Sequence, residues 1–414
     1  MSGLRAVEEQ LADVLAAARP LPAERILLAD AHGRTLSEPV RAAVDIPVFD
    51  NSAMDGFAVR FADVMDAAPD APVSLQVVAD LPAGTAADPP LASGEAARIM
   101  TGSPVPSDAD AIVPFEDTVG GLADSLGSIS VLRAPRAVGA HVRRAGEDAR
   151  TGDEVLPAGV VLGALQVAAV AACGVAEVAV SRRPRVAVIS TGSELVEPGA
   201  PLRRGQIPES NSVLLAALAT DAGAEVVRRA SVPDEPGDLD AVLSEVTDPR
   251  SAHPADVVVF SGGVSAGAYE VVKTTLARTM TFSKVAMQPG KPQGFGRLPS
   301  GALLFGLPGN PVSAAVSFEV FVRPALLLMQ GRLVREHRVL TLPAATDWRT
   351  PPGRRQYLPV IIDRTDPSAW RVIPATSGGS HLAGGLGRAE AYAVVPAEVD
   401  AVAAGDLVDV MLIS

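Results

Sequence analysis

Four glycine-rich turns between residues 185 and 313 constrain the fold of this 414-residue chain more than any other feature. Each follows a short apolar run typical of a buried β-strand, and they occupy residues 191–194 (TGSE), 261–265 (SGGVS), 289–292 (PGKP) and 306–311 (GLPGNP). Glycine lets the backbone approach a ligand closely, and exposed N–H groups at such turns suit an oxyanion. Because open parallel α/β sheets bind ligands at the carboxyl ends of their strands, the turns predict an anion-binding pocket.

The strand and helix patterns around these turns define a central region, residues 181–330. Their alternation predicts an α/β fold with a doubly wound parallel sheet and helices on both faces. We expect one helix from Asn211, as its N-cap, to Asp221, with Gly223 ending it, and a second helix at 312–329. The predicted strands lie at 185–190, 225–231, 256–261, 282–287 and 302–306.

The flanking regions have a different pattern. Residues 1–180 begin with an amphipathic helical pattern at 4–18, and short apolar runs separated by Pro and Gly then predict a β-rich N-terminal region. Residues 331–414 return to short strands and predict a small C-terminal β-domain. The N-terminal runs lie at 73–78, 111–114 and 129–132, and the C-terminal strands at 339–342, 357–362 and 391–395.

Composition limits the possible partners and compartments. The net charge of −13 argues against broad binding to nucleic acid or anionic membranes. A single cysteine, Cys173, excludes an internal disulfide and a multi-cysteine zinc site, and we expect it to be a small core residue rather than a reactive thiol. No N-terminal run resembles a signal peptide, and Pro and Gly interrupt the apolar stretch at 155–180. We therefore expect a soluble cytoplasmic protein.

Three carboxylates follow predicted strands or their glycine turns: Glu194, Asp234 and Glu270. Parallel strands deliver their C-terminal loops to one edge, so these side chains are expected to converge. One or two carboxylates together with substrate phosphates are what Mg²⁺ prefers. For any one of them alone, a helix cap or a solvent-facing charge is the favoured interpretation, whereas the set, with the glycine turns beside it, favours a shared site.

Lysines supply the matching positive charge. Lys291 lies in the rigid sequence Pro-Gly-Lys-Pro, which aims its side chain and suits a contact with an oxyanion. Lys284 lies earlier in the same predicted strand, where a lysine among apolar residues needs a partner.

The N-terminal half contains further concentrated polar motifs. Residues 50–56 (DNSAMDG) predict a tight turn rich in hydrogen-bonding groups, and 100–106 (MTGSPVP) and 143–148 (RRAGED) are similar. Each is compatible with a simple turn or with a ligand site.

Seven strings of the chain occur in an order that resembles a known family. They are 49–59 (FDNSAMDGFAV), 98–102 (RIMTG), 144–148 (RAGED), 190–195 (STGSEL), 261–265 (SGGVS), 289–292 (PGKP) and 306–311 (GLPGNP). The chain resembles, over essentially its whole length, the MoeA family of molybdopterin molybdenumtransferases, which is related to the E domain of gephyrin.

This resemblance implies an enzyme of the last step of molybdenum cofactor synthesis. Such an enzyme takes adenylylated molybdopterin and molybdate, cleaves the adenylate with Mg²⁺, and releases AMP and the molybdenum-loaded cofactor. The implied fold has two interleaved N-terminal subdomains, a molybdopterin-binding α/β domain like that of the adenylylating enzyme, and a C-terminal β-barrel-like domain. The implied assembly is a homodimer with the site shared between subunits, together with transient contact with the molybdopterin adenylyltransferase.

The resemblance also implies roles for individual residues. Glu194, Asp234 and Glu270 are implied to face the metal. The residues implied to act in the reaction are Asp55, Thr101, Asp148, Glu194, Asp234, Glu270, Lys284 and Lys291. The implied substrate-binding residues are Thr191, Gly192, Gly262, Gly263, Ser265, Pro292, Gly309, Asn310, Ser313, Arg354 and Ser380. His381 is compatible with a structural or a functional role.

Three positions depart from the family pattern. Gln288 stands where members often have a lysine, Glu270 where many have aspartate, and Pro359 where many have an arginine. Arg354 or Arg355 is a candidate to replace the missing contact. Two alternative functions remain at this point: the preceding adenylyl transfer, which a similar α/β domain performs, and a binding scaffold that retains the fold.

Overall fold

The computed structural model describes residues 3–123, 125–233, 236–263, 271–375, 379 and 381–413. Its N-terminal region is β-rich, as the sequence predicts, and is built around a five-stranded sheet of order β7-β4-β6-β5-β8. Phe57 and Phe115 pack edge to face in its core. The elements are α1 (Val7–Ala17), β1 (Ala23–Leu27), β2 (Val40–Arg41), β3 (Asn51–Ser52), β4 (Gly56–Val59), α2 (Phe61–Val64), β5 (Val73–Leu81), β6 (Glu95–Ile99), β7 (Ala111–Pro114), β8 (Gly127–Val131), β9 (Val142–Arg143), β10 (Glu154–Leu156), α3 (Ala164–Ala172) and β11 (Glu177–Ser181).

The opening helix α1 packs against the central sheet and not against the N-terminal β-rich region. Its Val7 and Val14 are buried in the same core cluster as Val186 and Val188 of the central sheet. The helix therefore covers one face of the α/β region, although the sequence groups it with the β-rich segment that follows.

The central region confirms the predicted α/β fold. Its six-stranded sheet has the order β15-β12-β16-β20-β19-β17, and the first four strands run parallel. The elements are β12 (Arg185–Thr191), β13 (Leu195–Val196), β14 (Ile207–Pro208), α4 (Asn211–Asp221), β15 (Glu225–Val232), α5 (Pro236–Thr247), β16 (Val257–Ser261), α6 (Val271–Leu276), β17 (Met280–Lys284), β18 (Met287–Gln288), β19 (Pro292–Arg297), β20 (Leu303–Leu307), α7 (Pro311–Ser317), a π-helical segment Phe318–Val322 and α8 (Arg323–Met329).

The sheet is not parallel throughout, which corrects the prediction at one edge. Strand β19 was not predicted, and it pairs antiparallel with both β20 and β17. Residues 285–291 join β17 to β19, and this connection is too short for the helical crossover that parallel neighbours require. The predicted strand at 282–287 ends at Lys284, and Met287–Gln288 leaves the sheet to pair with the C-terminal domain.

Helices cover both faces of the sheet because side chains alternate along its strands. Val186 and Val188 point to the core that contains α1, α4 and α8, whereas Ala187 and Ile189 pack against α5 and α6 on the other side. Both faces are apolar, which is typical of a sheet buried between two helical layers.

The helical stretch Pro311–Met329 is the core element beneath the third and fourth turns. Pro324 has no N–H to donate to Val320, and the π-helical segment ends two residues before it, at Val322. Among the described residues this is the one helix long and apolar enough to cross a membrane. However, 89% of its most apolar stretch is buried inside the protein. Its hydrophobicity is thus that of a core helix.

The C-terminal region confirms the predicted short strands. A sheet of order β18-β23-β25-β27-β21, with β24 on β23, forms its core, so the central region contributes one strand, β18, to this domain. The elements are β21 (Val339–Pro343), β22 (Trp348–Arg349), β23 (Arg355–Asp363), β24 (Arg371–Pro374), α9 (Ala383–Leu386), β25 (Ala391–Val395), β26 (Ala401–Val402) and β27 (Leu407–Leu412).

Cys173 is a core residue, as expected. It is fully buried directly after α3 and forms no disulfide. Burial first, and the Asp148 carboxylate second, raise the pKa of its thiol, so the reactive thiolate is disfavoured.

Candidate active site

A cavity of about 700 Å³ lies at the carboxyl ends of β12, β16 and β20. All four glycine-rich turns contribute to its walls, which is the convergence expected at the edge of a parallel sheet. The C-terminal domain adds His381 and Ala383. The lining residues that the sequence singled out are Thr191, Gly192, Glu194, Gly262, Gly263, Lys291, Pro292, Gly309, Asn310 and Ser313.

The first turn places a carboxylate at the cavity. Gly192 follows β12, and a Cβ added there would lie only 2.6 Å from Oε2 of Glu194. The absence of a side chain at Gly192 thus lets the exposed Glu194 carboxylate fold back over the turn.

The second turn depends on glycine for both conformation and space. Gly262 has φ +94°, and a Cβ there would lie 2.5 Å from the carbonyl oxygen of Thr191. Any other residue would strain the backbone and push β12 and β16 apart. This turn is therefore fixed close to the end of the neighbouring strand.

The third turn supplies the positive charge. Lys291 is half-buried and lines the cavity, and its carbonyl oxygen accepts a 2.8 Å hydrogen bond from the Val285 amide. Lys284 ends the edge strand β17, is exposed, and is not among the described residues that line the cavity. The two predicted lysines thus lie in different surroundings.

A second acidic residue, Glu209, lies in the cavity wall and was missed from the sequence. It is 5% exposed and accepts hydrogen bonds from the Ser190 hydroxyl and from both the amide and the hydroxyl of Ser212. A carboxylate in this position stabilises the beginning of α4. Its oxygens are occupied, so its role is to hold the helix.

Asn211 does not cap α4, which corrects the prediction. The N-cap is Ser210, and Asn211 is the first helical residue, with its side chain turned into the cavity wall. Its Nδ2 donates to Oγ of Ser261 at 2.7 Å and to the carbonyl oxygen of Gly309 at 2.6 Å. Because asparagine is common at N-caps, the sequence alone predicted that this side chain would bond to the backbone of its own helix. Gly223 ends the helix with φ +83°, as predicted.

The predicted residues of the N-terminal motifs lie outside the cavity of their own chain. One oxygen of the Asp55 carboxylate accepts hydrogen bonds from the amide of Thr101 at 2.7 Å and from its hydroxyl at 2.8 Å. These two bonds, the amide first, lower the pKa of Asp55 below its ordinary value. Asp148 is exposed, and its amide donates to the carbonyl oxygen of Ile46. None of these three predicted residues lines the cavity of its own chain.

The C-terminal domain reaches the third turn through Arg354. Its Nη1 donates a 2.7 Å hydrogen bond to Oε1 of Gln288, which lines the cavity. Arg355 instead pairs with Glu8 of α1 at 2.6 Å, and Pro359 lies buried in β23 opposite Tyr392. Of the two candidate arginines, Arg354 is therefore the one beside the site.

Four predicted site residues, Asp234, Ser265, Glu270 and Ser380, lie outside the described residues.

Comparisons with known proteins assign all three regions to one family. Residues 5–174 match the MoeA N-terminal region (domain I and II), residues 187–327 a probable molybdopterin binding domain, and residues 341–413 the MoeA C-terminal region (domain IV). Molybdopterin molybdenumtransferase 2 of Mycobacterium tuberculosis is 45% identical over 415 residues, which covers 97% of this chain and 98% of that protein. The chain belongs to the MoeA family of molybdopterin molybdenumtransferases.

Further relatives agree in sequence and in structure. A molybdopterin molybdenumtransferase of Nostoc sp. is 37% identical over 375 residues, covering 88% of this chain and 83% of that protein. A crystal structure of the MoeA protein from Pyrococcus horikoshii OT3 has a TM-score of 0.83 at 28% identity, covering 99% of this chain and all of that one. As a MoeA family member, the chain is a transferase of the molybdenum-insertion step of molybdenum cofactor biosynthesis, as the resemblance implied.

Proposed function

We propose that the cavity binds adenylylated molybdopterin and molybdate, and that the enzyme cleaves the adenylate, releases AMP and delivers molybdenum to the dithiolene. The observation that carries this proposal is the convergence of four glycine-rich turns on one cavity that also holds Lys291 and Glu194. A pyrophosphate and molybdate are both oxyanions, and such turns and a fixed cation suit them. We further propose that the protein works in the cytoplasm and transiently contacts the molybdopterin adenylyltransferase.

The residues at the cavity fit a divalent cation held together with substrate phosphates. Glu194 offers an exposed carboxylate, whereas the Glu209 oxygens are already hydrogen-bonded. Mg²⁺ typically uses one or two carboxylates plus phosphates, and we propose Glu194, Asp234 and Glu270 as its ligands. When bound, it would neutralise charge on the breaking pyrophosphate.

The side chains of this chain would position the reactants. Lys291 would hold a phosphate or molybdate oxygen at the cavity wall, and Lys284 would contact substrate that extends beyond it. Asp55, with its lowered pKa, stays ionised at neutral pH and would accept a hydrogen bond from substrate or water.

We propose that the site is completed by a second copy of this chain. Asp55 and Thr101 do not line the cavity of their own chain, yet the resemblance gives them roles in the reaction. Beside them, Val48, Phe49 and Met54 expose 62%, 46% and 37% of their surface. A homodimer that seats this turn over the partner's cavity would cover the apolar residues and bring both polar groups together.

The test compares two lysines that differ in position. Lys291→Met should lower molybdate-dependent AMP release by roughly 100-fold, because one preorganised cation is lost from the oxyanion site. Lys273→Met, at an exposed position in α6, is the matched control and should leave the rate unchanged. Equal effects of the two substitutions would overturn the proposal. Incubation of unmodified molybdopterin with ATP should yield no adenylylated product, whereas product would favour the preceding adenylyl transfer.

A further inference from the structure

A buried glutamine, Gln293, stands in strand β19 two residues after Lys291 and is only 2% exposed. Side chains alternate along a strand, so Gln293 lies on the same face as Phe295, which packs against the apolar core that contains α7 and α8. A polar side chain in such surroundings costs free energy unless it is hydrogen-bonded. The partners of Gln293 therefore indicate what it does.

The Gln293 amide joins the third glycine turn to helix α7. Its Nε2 donates to the carbonyl oxygen of Gly290 at 2.6 Å and to Oγ of Ser317, the last residue of α7, at 2.7 Å. A carbonyl oxygen only accepts hydrogen bonds, so the atom beside Gly290 is the amide nitrogen. Ser317 is fully buried, and a Cβ added to Gly290 would lie 2.9 Å from its Oγ. The turn is thus anchored directly on α7.

This anchor fixes the backbone on one side of Lys291, and a second hydrogen bond fixes the other side. Gln293 holds the carbonyl oxygen of the peptide group that precedes Lys291, and the Val285 amide donates to the carbonyl oxygen of Lys291 itself at 2.8 Å. Because a peptide group is planar, holding its oxygen sets the orientation of the whole group. Lys291 lines the cavity, whereas Gln293 is not among the described residues that do.

We propose that Gln293 is a positioning residue for Lys291, and that it holds the third turn on α7 so that the lysine is preorganised for an oxyanion. This inference rests on the proposed function, in which Lys291 holds a phosphate or molybdate oxygen. A group that is ordered before binding loses less conformational freedom when the ligand arrives, and a small displacement of such a group costs much of its effect. Gln293 acts without touching the substrate.

The first test removes both hydrogen bonds and keeps a side chain of similar length. Gln293→Met should lower kcat/KM for molybdate in AMP release about tenfold, because the lysine is no longer held in place. The matched control is Gln330→Met. Gln330 is 3% exposed, its Nε2 also donates two hydrogen bonds, to the carbonyl oxygens of Ala222 and Leu326, and it does not line the cavity. It should leave kcat/KM unchanged.

The second test asks whether Gln293 acts through the lysine. In the Lys291→Met background, Gln293→Met should have no further effect on kcat/KM, because the group that it positions is gone. Ser317→Ala repeats this cycle with a milder change, since the bond to Gly290 remains. It should lower kcat/KM about two- to threefold in the wild type and not at all beside Lys291→Met.

Three results would overturn the proposal. They are an unchanged kcat/KM in Gln293→Met, an equal loss in Gln330→Met, and additive effects of Gln293→Met and Lys291→Met. If Gln293→Met does not fold, additive effects of Ser317→Ala and Lys291→Met overturn it instead. If Lys291→Met itself leaves AMP release unchanged, the proposed function fails together with this inference, whereas a loss in Lys291→Met without one in Gln293→Met removes the inference alone.

Discussion

The side-chain oxygen of Gln288 accepts a 2.7 Å hydrogen bond from the guanidinium of Arg354, and this contact joins the cavity wall to the C-terminal domain. Gln288 is neutral, so Arg354 brings the positive charge to this side of the third turn. The same junction is reinforced where β18 pairs with β23. The C-terminal domain therefore contributes to the electrostatics of the site as well as to its walls.

Arg354→Gln should raise the KM for molybdate about tenfold, equivalent to about 1.4 kcal/mol, because a charged group is lost beside the oxyanion site. Steady-state AMP release at varied molybdate would measure it. The control is Arg349→Gln, an exposed arginine of β22, which should leave KM unchanged. An unaltered KM in Arg354→Gln would show that this arginine only supports structure.

Thr101→Val should raise the pKa of Asp55 part of the way to its ordinary value, because one of two hydrogen bonds to the carboxylate is removed while the amide bond remains. In the wild type the lowered pKa adds stability above the ordinary pKa of aspartate, and this is lost as pH falls through the lowered value. The acidic limb of the activity profile should therefore move to higher pH in the variant. Carboxyl NMR titration of Asp55 would check the direction, and an unmoved midpoint would contradict it.

Gly56→Ala should destabilise the protein by about 3 kcal/mol, because the new Cβ would lie 2.1 Å from the carbonyl oxygen of Val113 on the neighbouring strand. The substitution would also displace the adjacent Asp55. The control is Gly237→Ala in α5, where nothing lies within 4 Å, and it should stabilise by about 0.5–1 kcal/mol. The thermal unfolding temperature should therefore fall in Gly56→Ala and rise in Gly237→Ala. A shift of both temperatures in the same direction would contradict the predicted clash at Gly56.

Glu319 and His337 should be energetically coupled across the boundary between the central and C-terminal regions. Oε2 of Glu319 lies 3.1 Å from Nε2 of His337, and both side chains are at least 90% buried. His337→Phe alone should lower the free energy of unfolding by about 1–3 kcal/mol, because it removes a polar neighbour from a buried carboxylate whose remaining ion-pair partner among the described residues is Arg323, 3.7 Å away. In the double variant, Glu319→Gln with His337→Phe, the loss in free energy of unfolding should be smaller than the sum of the two single losses by at least about 1 kcal/mol. Urea unfolding would measure the cycle, and simple additivity would refute the coupling.

The sequence predicted the fold and the convergence of the glycine turns because both follow from local rules. Strand-helix alternation implies a parallel sheet, and parallel strands end at one edge, which brings Gly262 and Lys291 to the same cavity. Local rules failed where a tertiary partner decided the outcome. Asn211 has the preference of an N-cap but bonds to Gly309, 98 residues later. Gln288 and Arg354 are 66 residues apart, and no local pattern records their contact.

The most direct test of the account is AMP release from adenylyl-molybdopterin and Mg²⁺ by the purified protein, measured with and without molybdate. Release should depend on molybdate and should be accompanied by formation of molybdenum-loaded cofactor. Release at the same rate without molybdate, or binding of the substrate with no release at all, would contradict it.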